Sequence, residues 1–142
     1  MIWTELIGAL PGELTLQPPA PEPALAEAQQ LLGHPLPDEL AALLRESNGV
    51  GAEYGLELIW PIERIATDNL VLRRDADLAK LYMPFDPLLF IGDAGNGDQF
   101  ALVPHTRRPD VFVWDHENDS RTWVAPGLAK YLDWWLTGKI NL

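Results

Sequence analysis

Apolar positions recur in two rhythms along the chain: helical intervals up to Tyr82, and strand-like runs from Leu88 to Val124. Trp3, Leu6, Ile7 and Leu10 share one helical face and Pro11-Gly12 stops them, which predicts a helix and a turn over residues 1–16. Residues 17–23, Gln-Pro-Pro-Ala-Pro-Glu-Pro, predict a stiff, extended connector. A helix opening at Pro23 carries Leu25, Ala28 and Leu32 as its buried stripe and stops at Gly33. A second runs from Pro37 to Ser47, with Leu40, Leu43 and Leu44 inward. Asp38 and Glu39 complement its positive end and Arg45 its negative end. Asn48-Gly49 is expected to end it in the left-handed conformation. Residues 50–55 read as a loop and Leu56–Trp60 as a sheet-edge strand. Pro61 opens a helix with Ile62, Ile65, Asn69 and Leu72 on one side. The polar stretch Arg73-Arg74-Asp75-Ala76-Asp77 either continues or breaks it, and Leu78, Leu81 and Tyr82 add a turn before Pro84.

The strand-like part is the spine. Leu88–Ile91, Gln99–Val103, Val111–Trp114 and Thr122–Val124 are separated by short polar segments. Strands joined this tightly are antiparallel, because parallel pairs need a long crossover. The first connection, Asp93-Ala94-Gly95-Asn96-Gly97-Asp98, contains Asn-Gly, the signature of a type I′ hairpin turn. Leu88–Ile91 and Val111–Trp114 are apolar on both faces, so the middle of the sheet is expected to be covered on both sides. A last helix opens at Pro126, with Leu128, Tyr131, Leu132, Trp135 and Leu136 as its core face, and stops at Gly138. Trp114, Trp123, Trp134 and Trp135 are expected to fill the space between sheet and final helix. Helices first, then strands, then a helix is the order of an α+β fold with a mainly antiparallel sheet flanked by helices. Residues 1–22 form an N-terminal helix and Pro-rich connector, and residues 23–142 the main domain, within one globular unit.

Composition narrows the chemistry. The 142 residues contain no cysteine, which removes disulfides, a thiol nucleophile and thiolate metal sites. No apolar stretch is long enough to cross a bilayer and no signal peptide is visible, so a cytoplasmic location is expected. Net charge is −11, and residues 1–72 hold eleven carboxylates against two basic residues. Such a surface repels nucleic acid and attracts basic partners.

Catalytic patterns are absent from the sequence. Counted from Asp93 as an EF-hand loop, the third and fifth positions are glycines, and the twelfth is Pro104 where a glutamate is needed. Two carboxylates also exclude a phosphate cradle, so Asp93 and Asp98 are expected to bond turn amides. His116, between Asp115 and Glu117, lacks the second histidine of a helical zinc motif, and reads as a strand-end residue that bonds backbone. Ser47 and Ser120 lie in no nucleophile elbow, and Arg107-Arg108 reads as a solvated loop tip. An enzyme using His116 with Asp115 or Asp93 is the disfavoured alternative. No metal and no cofactor are expected.

Three segments, in order, resemble the SUKH superfamily, which includes fungal cell-wall-synthesis regulators and bacterial toxin-immunity proteins. The first is Leu32-Gly33-His34-Pro35-Leu36-Pro37-Asp38-Glu39-Leu40 with Ser47-Asn48-Gly49. The second is Leu89 to Phe100, with Gly92, Asp93, Gly97 and Asp98. The third is Val113-Trp114-Asp115-His116-Glu117 with Val124-Ala125-Pro126-Gly127-Leu128. These residues read as turns, caps and core. The resemblance implies an α+β domain without catalysis that binds and neutralises a cognate toxin protein in the cytoplasm, and the acidic charge makes a basic nuclease the expected target; the alternative is an intracellular protein-binding scaffold. An acidic inhibitor steers itself to a basic site, so the candidate contact residues are Glu53, Glu57, Glu63, Asp68, Asp75 and Asp77. The oligomeric state is left open.

Overall fold

The computed structural model describes residues 2–142. Its helices are α1 (Ile2–Gly8), α2 (Glu22–Leu32), α3 (Asp38–Glu46), α4 (Ile62–Arg74), α5 (Ala76–Leu81) and α6 (Leu128–Leu136). Strands β1 (Thr15–Leu16), β2 (Val50–Gly51) and β3 (Glu57–Ile59) form a small antiparallel sheet in that order. Strands β4 (Leu89–Asp93), β5 (Gln99–Leu102), β6 (Val111–Trp114) and β7 (Arg121–Ala125) form the expected meander, each paired antiparallel with the next. The α+β class stands, with one buried cluster running from Trp3 and Ile7 to Tyr131 and Leu132.

Both faces of the meander are covered, as its apolar strands require. Phe100 and Val113 are cross-strand partners, and the Phe100 ring meets Tyr131 and Trp135 of α6 at 4.7 and 5.7 Å. Trp114, one residue on from Val113, points to the opposite face. There it meets Tyr82, Phe85 and Phe90 at 5.3–5.7 Å. The tryptophans therefore do not share one layer. Trp114 lies across the sheet from α6, Trp123 is 47% exposed, and the fully buried indole is Trp60.

The outer edge of β4 is closed by one continuous segment, residues 60–73. An open edge would present unpaired amides and carbonyls. Here Arg73 donates to Leu88 O at 2.9 Å, and Asn69 donates to Phe90 O at 2.9 Å and accepts from Phe90 N at 2.8 Å. A bulge between Phe90 and Gly92 turns Ile91 O outward, where Trp60 N donates to it at 2.7 Å. The strand read at Leu56–Trp60 thus belongs to the small sheet and touches the meander mainly through this crossing. Gly92 makes the crossing possible: a Cβ there would overlap the Leu58 carbonyl. Tyr131 ties the same point to α6, its hydroxyl donating to Leu58 O at 2.7 Å. Burial pushes that phenol well above its ordinary pKa, so it stays a neutral donor.

Several local expectations are corrected. The segment read as a turn and a loop supplies β1 and β2, two residues each, too short for a period to show. The Pro-rich connector is strapped to α3: Ala20 N donates to Leu44 O at 2.9 Å and Asn48 N to Pro18 O at 2.9 Å. Asn48-Gly49 does not form the α3 cap. Ser47 ends α3 in an extended conformation, and Asn48 instead caps α4, its Oδ1 accepting from Ile62 N at 2.8 Å. Asp75 breaks the helix after Arg74 and caps α5, accepting from Asp77 N and Leu78 N. The β4–β5 connection is not a two-residue type I′ turn. Ala94 N donates to Asp98 O, and the positive φ values fall at Gly95 and Gly97, not at Asn96. Gly97 (φ 97°) also lies against the His116 ring, which leaves no room for a Cβ.

Candidate functional site

The β4–β5 loop, the start of α4 and the 3-10 turn Glu53–Gly55 converge on one face. Its centre is Arg64, in the first turn of α4. The guanidinium grips Asp93 with two bonds, 2.7 and 3.0 Å, donates to Asp68 at 3.0 Å, and lies 3.6 Å from Glu57. It also sits 4.0 Å above the Trp60 ring. Burial alone would lower the Arg64 pKa, but the Asp93 and Asp68 carboxylates outweigh it and hold the group above its ordinary value. One cation among three carboxylates leaves the cluster net negative.

Asp93 therefore binds a guanidinium, where a turn amide was expected. Asp98 does bond an amide, accepting from His116 N at 3.1 Å, but also from the His116 ring, Nδ1 to Oδ1 at 2.7 Å. That hydrogen bond raises the His116 pKa against partial desolvation. For Asp98, burial pushes upward, and the bonds from His116 and Asn96 together overcome it and hold the carboxyl below its ordinary value. Asp98, Asp115 and His116 place ligand atoms within 4.8 Å of one another. The His116 nitrogen facing this cluster is already bonded to Asp98, and Asp115 Oδ1 accepts from Glu117 N at 2.9 Å. The cluster serves the turn: Tyr82 donates to His116 O at 3.0 Å, and Asp119 binds the Trp114 indole at 2.8 Å.

The six candidate contact carboxylates do not form one patch. Glu57 and Asp68 join at Arg64, and Glu53 lines the same groove as Asp93. Glu63, at the first turn of α4, faces the Asn48 amide at 3.1 Å. Asp75 and Asp77 lie beyond the far end of α4, about 20 Å along a thirteen-residue helix. Asp75 is occupied as a cap there.

Sequence reasoning missed Tyr54. Its side chain is fully exposed, and its backbone is left-handed at φ 61°, ψ 27°. That conformation costs a residue with a Cβ about 1–2 kcal/mol. Tyr54 borders two grooves, one lined by Glu53, Asp93 and Asp98, the other by Glu13, Trp135 and Leu136. The only signal in the sequence was an aromatic in a Gly-flanked loop of an acidic segment.

The fold and this face define a small α+β protein whose titratable clusters bind turns and helix ends, with an acidic, aromatic-tipped surface left outward. The model of the SMI1 / KNR4 family (SUKH-1) matches residues 19–134. The chain belongs to that family. No curated protein matches it closely. The family match begins inside the Pro-rich connector, so it covers the three motif segments and the Arg64 face but not α1 or β1. Among the described residues no helix is long and apolar enough to cross a membrane.

Proposed function

We propose that this chain is a non-enzymatic immunity protein that binds and blocks a basic toxin domain in the cytoplasm. The observation that carries this reading is the acidic face around Arg64 and Tyr54. Glu57, Asp68 and Asp93 surround a single cation there, with Glu53 lining the adjoining groove, on a chain of net charge −11. A nuclease holds phosphates with Lys and Arg, and a surface of opposite sign is steered onto that site and competes for it. Membership of the SUKH-1 family supports the reading, because the superfamily includes immunity proteins.

The test is co-expression with the toxin domain encoded directly upstream of this gene. Growth is expected to be restored by the wild-type chain and by His116→Gln, since no catalysis is invoked. Affinity for the purified domain is expected to fall steeply as salt rises. Absence of such a neighbour, no rescue, or salt-independent binding overturns the reading. Recovery of a cell-envelope or metabolic protein in its place identifies the chain as a scaffold.

A further inference from the structure

We propose that His34 and Arg73 form an acid-released latch, which locks the ends of α2 and α4 to the start of β4 while the imidazole is neutral. The latch is independent of the immunity reading. Arg73 lies in the last turn of α4. Its guanidinium is held by neutral acceptors: Nη1 donates to Leu32 O, the end of α2, at 3.3 Å, and Nη2 donates to Leu88 O at 2.9 Å and to His34 Nε2 at 3.0 Å. Its Nε is buried without a partner. Arg64 sits among three carboxylates, whereas among the described residues no carboxylate bonds to Arg73. Burial lowers the Arg73 pKa, and only the charge of Asp86 opposes that.

These bonds fix the protonation state of His34. A guanidinium has donors and no acceptor, so the Nε2 facing it must offer its lone pair. Nδ1 lies 2.8 Å from Pro35 O and must carry the ring's one proton. A second proton can enter only at Nε2, where it faces a cation. His105, on the β5–β6 connection, meets the His34 ring edge-on at 5.5 Å. Among the described residues, Arg73 and His105 are the titratable groups that act on this ring, and both oppose its charging. Burial and these two neighbours outweigh the Pro35 carbonyl and hold His34 below its ordinary pKa. Once His34 is charged, imidazolium and guanidinium separate, and Leu32 O and Leu88 O lose their donor. Asn69 keeps its grip on Phe90, so the opening is confined to this corner. The latch's stability is complete above the ordinary histidine value and is lost as pH falls toward the folded one.

The isotope-labelled full chain is titrated between about pH 8 and pH 5, with histidine rings and backbone amides followed by NMR. His34 is expected to titrate below the ordinary value of 6.5, and His116 above it. The amides of Leu32, Arg73 and Leu88 are expected to shift with the His34 midpoint, and that of Phe90 to stay. Arg73→Gln removes the facing cation and is expected to move the His34 midpoint up toward the ordinary value. His34→Gln, which does not titrate, is expected to abolish the corner shifts and to leave those around His116 unchanged. A His34 midpoint at or above the ordinary value overturns the proposal. So do corner amides that ignore that midpoint, or that still titrate in His34→Gln. The wild-type titration decides by itself should Arg73→Gln fail to fold.

Discussion

Asn69 carries the junction between α4 and the meander, and its replacement tests how the sheet edge is closed. The side chain is 1% exposed. Its amide donates to Ile65 O at 2.8 Å and Phe90 O at 2.9 Å, and its oxygen accepts from Phe90 N at 2.8 Å. Asn69→Ala leaves the Phe90 amide and carbonyl without partners at a site closed to water. Each orphaned group costs about 1–3 kcal/mol, so the expected loss is about 3–5 kcal/mol with the small cavity included. That is a large share of the roughly 5–15 kcal/mol that holds a domain folded. In urea unfolding followed by tryptophan fluorescence, with a slope of about 2 kcal/mol/M, the midpoint falls by about 1.5–2.5 M. Asn69→Leu restores volume but not the bonds, and is expected to lose as much. Asn69→Asp keeps one acceptor for Phe90 N, but turns its other oxygen onto two carbonyls. The protonated acid supplies the missing donor, so the folded state raises this carboxyl's pKa. Stability of this variant is then greatest below the ordinary carboxylate pKa and falls as pH rises through the folded value. A midpoint shift below about 0.5 M for Asn69→Ala, or recovery of stability by Asn69→Leu, refutes the reasoning.

Gly92→Ala forces a Cβ into the Leu58 carbonyl; the expected cost is about 3 kcal/mol or more, seen as a melting temperature lowered by about 10 °C. The His116–Asp98 pair adds stability only within a window. The raised His116 pKa contributes below the unfolded histidine value and is lost as pH climbs through the folded one, while the lowered Asp98 pKa contributes above the unfolded carboxylate value and is lost as pH falls through the folded one. His116→Gln is therefore expected to destabilise most between about pH 4 and 6.5 and least at alkaline pH, measured as urea midpoints across pH; a pH-independent difference refutes the pairing. Arg64→Met strips the cation from Glu57, Asp68 and Asp93; discounted for its partly exposed setting, the expected loss is about 1–2 kcal/mol at low salt and less at high salt.

What the sequence revealed follows from the range over which each structure is built. The meander was legible because each strand pairs with its neighbour in the chain, and Gly33 could be placed because a helix end is a local event. The SUKH-like segments were legible as turns and core for the same reason, but the crossing of Gly92 against Leu58 and the seat of His116 against Gly97 were not. Long-range roles were not legible. Asp93 and Asp98 looked alike as turn aspartates, but one faces Arg64 and the other His116. Nothing within the loop distinguishes them, because both partners arrive from elsewhere in the chain. Asn48-Gly49 looked like a helix end because that pair ends helices, whereas the fold uses Asn48 to start the next one. Charge misled in the same way. Grouping the carboxylates of the middle helix and the loop before it put Asp75 and Asp77 beside Glu57 and Asp68, but they lie past the far end of α4 from Glu57, and Asp75 is committed to a cap. A carboxylate's availability is decided by what the fold has already bonded to it. The residues left for a partner are those the fold leaves free, and on this face they are Glu53 and the tyrosine beside it.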